Sequence, residues 1–390
     1  MSKPRPKKLP GIYIHIPFCK QACSYCDFYF KTRQQLLQPF TDALEKEILS
    51  YRNSPFSHLP VQTIYIGGGT PSLLNQSQLE QIFSAMQNVF QLEPLEVTME
   101  LNPDDVTVSY LKMIRNFGVD RASMGVQSFQ SEILEFMNRT HNRNEALHAL
   151  EALRTNGFPS FTADLIYGNP NQPLSMLEED IRQLLEFNPP HISAYSLTIE
   201  PKTRLGKQVE LGRIQPPDDE IVSEHSDLLY NLLGDAGIHQ YEVSNYAKPG
   251  KEAIHNSSYW SHQNYLGFGP SAHSFWWDDD NSRTAMRWQN RADLKFYLKN
   301  KPGDIQTDQE ELDLHTLAEE RLMMALRTKA GISLEELEQR YDFSFTENQL
   351  GYISRQIQKD TMSRTKNRLK MTRQGLKISD FLLVDLLSRG

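Results

Sequence analysis

Six short β-type runs alternate with amphipathic helical patterns across the first half of the chain. In the helical patterns apolar residues recur at intervals of three and four, as in Leu79, Ile82, Phe83 and Met86. Repeated strand–helix units of this kind favour an α/β fold, in which a parallel sheet curls into a partial, TIM-like (β/α)6 barrel. The predicted strands are 12–16, 63–66, 97–101, 122–126, 161–166 and 192–197.

Polar residues and glycines follow the predicted strands at their carboxyl ends. The carboxyl ends of parallel strands gather at one rim of a barrel, which is where active sites form. We therefore expect six segments to lie close together at this rim. In chain order they are the cysteine loop from Cys19, Gly67 to Pro71, Glu100 to Pro103, Gly125 to Gln127, Asp164 with Tyr167 to Pro170, and Tyr195 with Thr198.

Cys19, Cys23 and Cys26 are the three cysteines of the chain, spaced C-x3-C-x2-C. Three thiols cannot close a disulfide framework, and a structural zinc site usually takes four side-chain ligands. His15 would be a fourth ligand, but it lies on a predicted strand just before Pro17. The spacing favours an iron–sulfur cluster held by three thiolates, whose fourth iron is open to a ligand that is not protein.

The cysteine spacing resembles that of the radical S-adenosylmethionine (SAM) superfamily. The run from Tyr13 to Cys19 resembles the branch that contains oxygen-independent coproporphyrinogen III dehydrogenases and heme chaperones. The resemblance extends to about Asp380 and implies a radical SAM partial barrel. It implies a 4Fe–4S cluster whose open iron is chelated by the amino and carboxylate groups of SAM. The chemistry of such a site belongs to its cofactors, and the protein orients them and excludes water and oxygen.

The same resemblance gives SAM-binding roles to residues of the rim. It places Gly68, Gly69 and Thr70 along the methionine end of SAM, whereas a tight turn is the alternative that the glycines alone allow. Gln127 and Arg139 match the family in their separation. Arg139 would hold the SAM carboxylate with its planar guanidinium fork.

Two carboxylates, Glu100 and Asp164, lie on strands where they are expected to face inward. A buried charge needs a partner, which a SAM ammonium group or its ribose hydroxyls would supply; a Lys or Arg of the barrel is the alternative. Tyr13 and Tyr25 flank the cluster in the resemblance, and the alternative for both is simple packing. No catalytic residue is assigned. The predicted cofactor-binding residues are Tyr13, Tyr25, Gly68, Gly69, Thr70, Glu100, Gln127, Arg139, Asp164, Thr198 and His255, with Cys19, Cys23 and Cys26 as metal ligands.

His255 opens the motif His255-Asn256-x-x-Tyr259-Trp260. By chemistry alone a loop histidine is usually just hydrogen-bonded, although imidazole can ligate heme iron and aromatic faces can cover the macrocycle. The motif resembles one typical of the heme chaperones of this branch, and so implies heme as a third cofactor. Phe28 stands two residues after Cys26, where the dehydrogenases typically carry a fourth cysteine.

These features favour a heme chaperone that binds heme and passes it to acceptor proteins, respiratory proteins among them. The alternative from the same branch is an enzyme that decarboxylates coproporphyrinogen III oxidatively. A plain zinc protein is a third hypothesis. Whether the protein is an enzyme at all is left open by the sequence.

The composition shifts beyond residue 300, and Lys and Arg concentrate between 359 and 373. Helices are predicted at 218–236, 308–328, 333–341 and 347–359, with an irregular loop at 200–217 and a two-stranded wing at 368–376. The predicted division is a basic tail at 1–10, the barrel at 11–240, a linking segment with the histidine motif at 241–304 and a small winged-helix-like domain at 305–390. We expect this domain to act as a lid that covers a partner or substrate, and DNA binding is the alternative.

Charge and hydropathy limit the remaining function classes. A net charge of −8 and a pI of about 5.8 argue against a general nucleic-acid binder. No run of about 18 apolar residues occurs, so no membrane span is expected. Free thiols in a cluster motif indicate a reducing compartment, and therefore the cytoplasm.

Overall fold

Six parallel strands with helices between them form the first half of the chain, as the alternation of sequence patterns predicts. The structure is a computed structural model that describes residues 10–278 and 283–390, so the predicted basic tail lies outside the described residues except for Pro10. The strands are β1 Gly11–Ile16, β2 Val61–Gly68, β3 Leu92–Leu101, β4 Arg121–Gln127, β5 Ser160–Tyr167, β6 His191–Ser196, β7 His239–Gln240, β8 Asn245–Ala247, β9 Tyr265–Phe268, β10 His273–Trp277, β11 Ala285–Asn290, β12 Gln306–Leu312, β13 Ile332–Ser333, β14 Met362–Arg364 and β15 Arg368–Met371.

The helices begin where the sequence supplies a polar cap. Asn75 and Asn142 open α2 and α5 with capping boxes, in which the side chains of Gln78 and Glu145 bond back to the cap. The helices are α1 Leu37–Ser50, α2 Gln76–Val89, α3 Val108–Asn116, α4 Ser131–Phe136, α5 Arg143–Thr155, α6 Leu174–Leu185, α7 Arg204–Glu210, α8 Asp219–Asp235, α9 Ile254–Trp260, α10 Leu294–Lys299, α11 Leu314–Leu326, α12 Leu334–Tyr341, α13 Glu347–Gln358, α14 Arg373–Lys377 and α15 Ser379–Leu387.

One long sheet runs through the molecule in the order β12-β11-β10-β9-β1-β2-β3-β4-β5-β6-β8-β7. The strands from β9 through β6 in this order are parallel, and antiparallel strands extend the sheet at both ends. The predicted α/β class and the six parallel strand–helix units are confirmed.

The two faces of the parallel strands differ sharply in polarity. Alternate residues such as Val97, Met99 and Ala122 are buried in the main apolar core beneath the helices. The residues between them face a cavity inside the barrel and are mostly polar. They include Tyr65, Thr98, Glu100, Arg121, Ser123, Thr162, Asp164, His191, Ser193 and Tyr195.

The segment 241–304, predicted to be a link, contributes strands to the same sheet. β9 pairs in parallel with β1, with Gly11 opposite Tyr265, and β10 and β11 follow as antiparallel neighbours. The free edge of β1 explains this, because the backbone N–H and C=O groups of a buried edge need partners. The histidine motif, predicted in a loop, forms the short helix α9.

Two stretches differ from the sequence-based prediction. Residues 306–312 form the edge strand β12, and α11 begins only at Leu314, after the cap Asp313. The charged side chains of this run stay exposed at the sheet edge while its backbone pairs with β11, an arrangement that edge strands favour. The predicted irregular stretch 200–217 contains α7, which is capped by Thr203.

The C-terminal part has its own apolar core and its own sheet. Strands β13, β15 and β14 pair as a small antiparallel sheet. The two-stranded wing predicted at 368–376 is wrong in extent, because only β15 falls in that range and α14 begins at Arg373. Buried residues of α11 to α15 share one apolar cluster with Phe275 and Trp277 of β10. None of the helices in residues 10–278 and 283–390 combines the length and apolar character that crossing a membrane would require.

Candidate functional site

A cavity of about 490 Å³ opens at the carboxyl ends of the parallel strands. It collects residues from the cysteine loop, the glycine turn and strands β2 to β6, so most of the rim expected from the sequence is formed. The predicted segment Tyr167 to Pro170 does not line the cavity. Of the predicted site residues, all but Tyr13 and His255 line it. Those that do are Cys19, Cys23, Tyr25, Cys26, Gly68, Gly69, Thr70, Glu100, Gln127, Arg139, Asp164 and Thr198.

The cysteine loop is held in place by bonds at both of its ends. The amide of Cys19 donates to the Lys31 carbonyl at 3.0 Å, closing the base of the loop. Ser24 donates from its amide to Met137 and from its hydroxyl to Phe136, at 3.0 and 2.9 Å. Lys20 pairs with Asp104 in the turn after β3, at 2.7 Å. The loop is therefore anchored to two neighbouring rim segments.

The glycine turn packs directly against the start of the cysteine loop. The amide of Gly69 donates to Ile16 at 2.8 Å, and that of Thr70 donates to Phe18 at 2.6 Å. A Cβ at Gly69 would lie 2.5 Å from the Phe18 carbonyl oxygen, so only glycine fits there. Gly68 has a φ of +108° and donates its amide to Glu100 at 3.0 Å. The turn thus joins the cysteine loop to an inward carboxylate.

The three thiols are free and partly buried at one side of the cavity. Burial raises the pKa of Cys19 to about 12 and that of Cys26 to about 11, so metal binding must displace their protons. Arg139 lies 3.3 Å from the Cys23 sulfur and donates to it. Within the described residues no three His, Cys, Asp or Glu side chains are arranged to hold a single metal ion. A cluster takes one thiolate per iron and does not need the sulfurs to converge on one point.

Two carboxylates sit inside the barrel without an ion-pair partner among the described residues. Glu100 accepts from the Tyr65 hydroxyl at 2.7 Å and from Gly68, and burial raises the pKa of Glu100 to about 7. Asp164 accepts from the Ser123 hydroxyl at 3.3 Å, and burial raises its pKa to about 6. The predicted alternative, pairing with a Lys or Arg of the barrel, is not seen. Both carboxylates remain available to a cationic ligand.

Gln127 and Arg139 both lie near Gly125 at the rim and keep unused polar atoms. Arg139 donates to the Gly125 carbonyl at 3.0 Å and to Asn102, while its Nε has no partner. Gln127 ends β4 with a positive φ, and its buried Oε1 is also unpartnered. Buried polar atoms without partners are rare in folded proteins, and these two, in the cavity wall, are free to bond to a polar ligand. The residues present fit a 4Fe–4S cluster with SAM.

Tyr13 and His255 lie outside the cavity wall. The Tyr13 hydroxyl bonds to His15 at 3.0 Å. His255 is fully buried: its Nδ1 bonds to the Thr63 hydroxyl and its Nε2 to the Tyr259 hydroxyl, both at 2.8 Å. Burial lowers the pKa of His255 to about 3, so the ring is neutral. Both nitrogens are thus engaged inside the protein.

Sequence reasoning missed several polar residues of the cavity wall. Tyr65, Arg121, Ser123, His191 and Ser193 all face inward, and His191 Nδ1 is buried without a partner. The signal was available, because these residues alternate with apolar ones along their strands. The wall ends at Asn256 in chain order, so no described residue of the C-terminal domain covers this cavity. The predicted lid over a substrate is not seen.

The fold and the cysteine-lined rim define a radical SAM protein. A family model described as the Radical SAM superfamily matches residues 13–184, and one described as the HemN C-terminal domain matches residues 312–378. These matches confirm the predicted family and, with it, the 4Fe–4S cluster and SAM as its cofactors.

Curated relatives then identify the branch. The chain is 32% identical to heme chaperone HemW of Lactococcus lactis over 388 residues, covering 97% of this chain and 99% of that protein. It is 33% identical to HemW of Bacillus subtilis, covering 94% and 96%, and 38% identical to HemW of Escherichia coli, covering 68% and 70%. The chain belongs to the HemW family.

One solved structure shares the architecture of nearly the whole chain. The structure of coproporphyrinogen III oxidase (HemN) from Escherichia coli, a radical SAM enzyme, matches with a TM-score of 0.83 at 22% identity. The match covers 98% of this chain and 91% of that one. It shows a common fold that extends over the barrel and the C-terminal domain.

Proposed function

We propose that this protein is a heme chaperone. In the cytoplasm it binds heme as cargo, holds a 4Fe–4S cluster with SAM, and transfers heme to acceptor proteins, respiratory proteins among them. The observation that carries the proposal is the similarity to proteins named heme chaperone HemW over nearly the full length of both chains. The cavity with three free thiols supports it.

We propose that Cys19, Cys23 and Cys26 each hold one iron of the cluster. Arg139 and Gln127, with their unused polar atoms, would bind the methionine end of SAM beside the glycine turn. Glu100 and Asp164 would bind its cationic and hydroxyl groups, and Thr70, Tyr25 and Thr198 would complete the wall. When bound together, the cluster and SAM supply one-electron chemistry. The chain itself orients them, and its rim excludes water.

His255 remains a proposed heme ligand that must first lose one of its internal hydrogen bonds. Its Nε2 is bonded to Tyr259, four residues along α9, and its Nδ1 to Thr63 of β2. A movement of α9 would release one of these nitrogens. The Glu96 carboxylate opposes that movement, because it accepts the backbone amides of Ile254 and His255 at 2.9 Å each. Heme coordination by His255 is therefore coupled to a rearrangement at this end of the barrel.

We also propose that the C-terminal part from about residue 305 acts as a separate domain. The second apolar cluster, which spans α11 to α15, supports this division. Its contact with β10 supports a fixed rather than a freely moving attachment.

Oxidative decarboxylation of coproporphyrinogen III is the second candidate. The structural similarity to HemN shows the fold alone at 22% identity. Phe28 replaces the fourth cysteine typical of the dehydrogenases, and its side chain is 71% exposed at the cavity. This position supports the chaperone over the enzyme.

Heme titration of matched variants tests the proposed ligand. His255→Gln removes the imidazole, whereas Tyr259→Phe only frees Nε2 and Thr63→Val only frees Nδ1. If His255 ligates heme, His255→Gln changes the heme absorption spectrum while Tyr259→Phe or Thr63→Val binds heme at least as tightly as wild type. Identical spectra in all four proteins would remove His255 as a ligand.

Heme transfer tests the function itself. Protein reconstituted anaerobically should hold about four irons and four sulfides per chain. Loaded with heme, it should restore heme-dependent activity to extracts that contain apo-respiratory enzymes, and a Cys19→Ser variant shows whether the cluster is required. Formation of protoporphyrinogen from coproporphyrinogen with SAM and a reductant, without heme transfer, would support the enzyme instead.

A further inference from the structure

Positive charge is concentrated on the wing of the C-terminal domain. The chain as a whole carries −8, yet residues 359–377 contain seven Lys or Arg residues and one acidic residue, Asp360. Two of the seven, Arg373 and Lys377, pair with Asp227 of α8 and so fasten the domain to the barrel. The other five cations do not take part in this attachment.

The remaining cations make no ion pair within the described residues. We name as the basic wing four of these, Arg364, Lys366, Arg368 and Lys370, together with Lys329, which likewise makes no ion pair among the described residues; all five are exposed. Arg368 donates only to the carbonyls of Ala330 and Gly331. Like charges that crowd together without counter-charges repel one another, and an anionic partner would relieve that repulsion.

The basic wing borders a groove of about 380 Å³. Three cations and two hydroxyls line it, and no carboxylate does. The lining residues are Lys329, Ala330, Ser363, Thr365, Arg368 and Lys370. The three cations and two hydroxyls can all donate hydrogen bonds, which suits carboxylate groups.

An exposed apolar strip adjoins the basic wing. Ile378, Phe381 and Val384 follow each other at intervals of three around the start of α15 and are 46%, 68% and 70% exposed. Asp380, within this strip, pairs with Arg327 at 2.7 Å, two residues before Lys329 of the groove. Cations around an exposed apolar strip make a surface that fits a macromolecular partner.

The charges select among the classes of partner. Asp380, whose side chain is 83% exposed, and Asp385 of the same helix pair with Arg327 and Arg389, so inserting the apolar strip into the hydrocarbon of a bilayer would desolvate two ion pairs. No aromatic ring lines the groove, although stacking on aromatic rings is a main source of affinity for single-stranded nucleic acid. A folded protein with an acidic face accommodates both the cations and the apolar strip.

We propose that the basic wing and the apolar strip dock the acidic face of a protein partner, and that this partner is the heme-receiving protein. The second part rests on the proposed function. The docking surface lies apart from the cofactor cavity, whose wall contains none of its residues. Heme binding and partner binding are therefore separable by mutation.

Binding of labelled poly-L-glutamate to the full-length protein tests the surface. The wing variant replaces Lys329, Arg364, Lys366 and Lys370 with Gln, leaving Arg368 and its carbonyl contacts in place. A control variant with the same change in charge replaces Lys46, Lys112, Lys295 and Lys299, which are exposed elsewhere. We expect the wing variant to bind about tenfold more weakly than the control, which corresponds to about 1.4 kcal/mol, and added salt to weaken wild-type binding.

Equal binding by the two variants would overturn the proposed surface. Tighter wild-type binding to a DNA duplex, or to vesicles of phosphatidylglycerol and phosphatidylcholine, would overturn the choice of a protein partner.

Heme titration of each variant separates this proposal from the proposed function. With heme affinity unchanged, slower heme transfer by the wing variant supports the assignment of the partner, and transfer at the control rate refutes it. A wild-type protein that binds no heme would refute the function, while the poly-L-glutamate result would still decide the surface.

Discussion

Replacing Lys20 with Met should loosen the loop that carries the three cysteines. Lys20 stands between Cys19 and Cys23 and contacts two carboxylates of the turn after β3, Asp104 at 2.7 Å and Asp105. Its side chain is 33% exposed, and those of the two aspartates are 13% and 9% exposed. The variant removes the cation that pairs with both carboxylates of this turn.

The size of the effect follows from this partial burial. Breaking a fully buried ion pair costs about 3–5 kcal/mol, whereas an exposed pair contributes about 0–1 kcal/mol. The two carboxylates keep neutral donors, since Thr140 lies 3.2 Å from Asp104 and Ser72 lies 2.7 Å from Asp105. We therefore expect a loss of about 1–2 kcal/mol in loop stability, which raises the open population of the loop about tenfold.

Amide hydrogen exchange of the cluster-free protein measures this opening directly. Peptides that cover the cysteine loop should exchange about tenfold faster in Lys20→Met than in wild type, while peptides of the sheet should not change. Reconstituted Lys20→Met should also lose iron faster to a chelator. Lys112→Met, which removes an exposed lysine that makes no ion pair within the described residues, is the control. If Lys20→Met exchanged its loop amides and lost iron at the wild-type rates, the view that this contact orders the loop would be refuted.

Three further substitutions test the rim and the core. Gly69→Ala should lower the free energy of unfolding by about 2–4 kcal/mol and impair cluster retention, because the new Cβ would lie 2.5 Å from the carbonyl oxygen of Phe18. The control Gly234→Ala, which has open space around the new Cβ, should leave thermal stability and iron content unchanged or slightly improved. SAM affinity, measured by calorimetry, should fall as the pH drops below about 7, because burial raises the pKa of Glu100 to about 7 and the protonated form does not attract a cation. Glu100→Gln should remove the fall near pH 7 and leave the part due to Asp164, whose pKa burial raises to about 6. Burial raises the pKa of Glu47 from 4.5 to about 7, so between these pH values the folded protein holds a proton that the unfolded protein has lost. The free energy of unfolding should therefore fall as the pH rises through this range. Urea unfolding of Glu47→Gln should show a flatter pH profile, and an unchanged profile would contradict the assignment.

The strands and the rim were predictable because both depend on local patterns. Period-two and period-3.6 apolar spacing decided the six strand–helix units, and the carboxyl ends of parallel strands can only meet at one rim. The cysteine loop, the glycine turn, Glu100 and Asp164 therefore fell into place from the sequence. Their individual partners did not, since Lys20 with Asp104 and Tyr65 with Glu100 join residues far apart in the chain.

The missed elements are those that tertiary pairing decides. Residues 306–312 carry a charged run that suits the exposed end of a helix, and only the free edge of β11 makes it a strand. β9 was not predicted because its neighbour is β1, about 250 residues earlier, and no local pattern reveals that pairing. Likewise, His255 lies in an accessible-looking motif but is buried by its bonds to Thr63 and Tyr259.

The polarity of the barrel interior explains why the cavity persists. In most closed barrels branched apolar residues fill the inside in layers. Here the inward positions of β3 to β6 are instead polar, including Thr98, Glu100, Arg121 and His191, while the apolar residues of the same strands pack outward under the helices. Collapse of such an interior would bury charged groups without partners, and the free energy that this costs exceeds the free energy gained by burying apolar area. The barrel therefore keeps a polar cavity whose wall contains no described residue of the C-terminal domain, so the basic wing is available for a separate role.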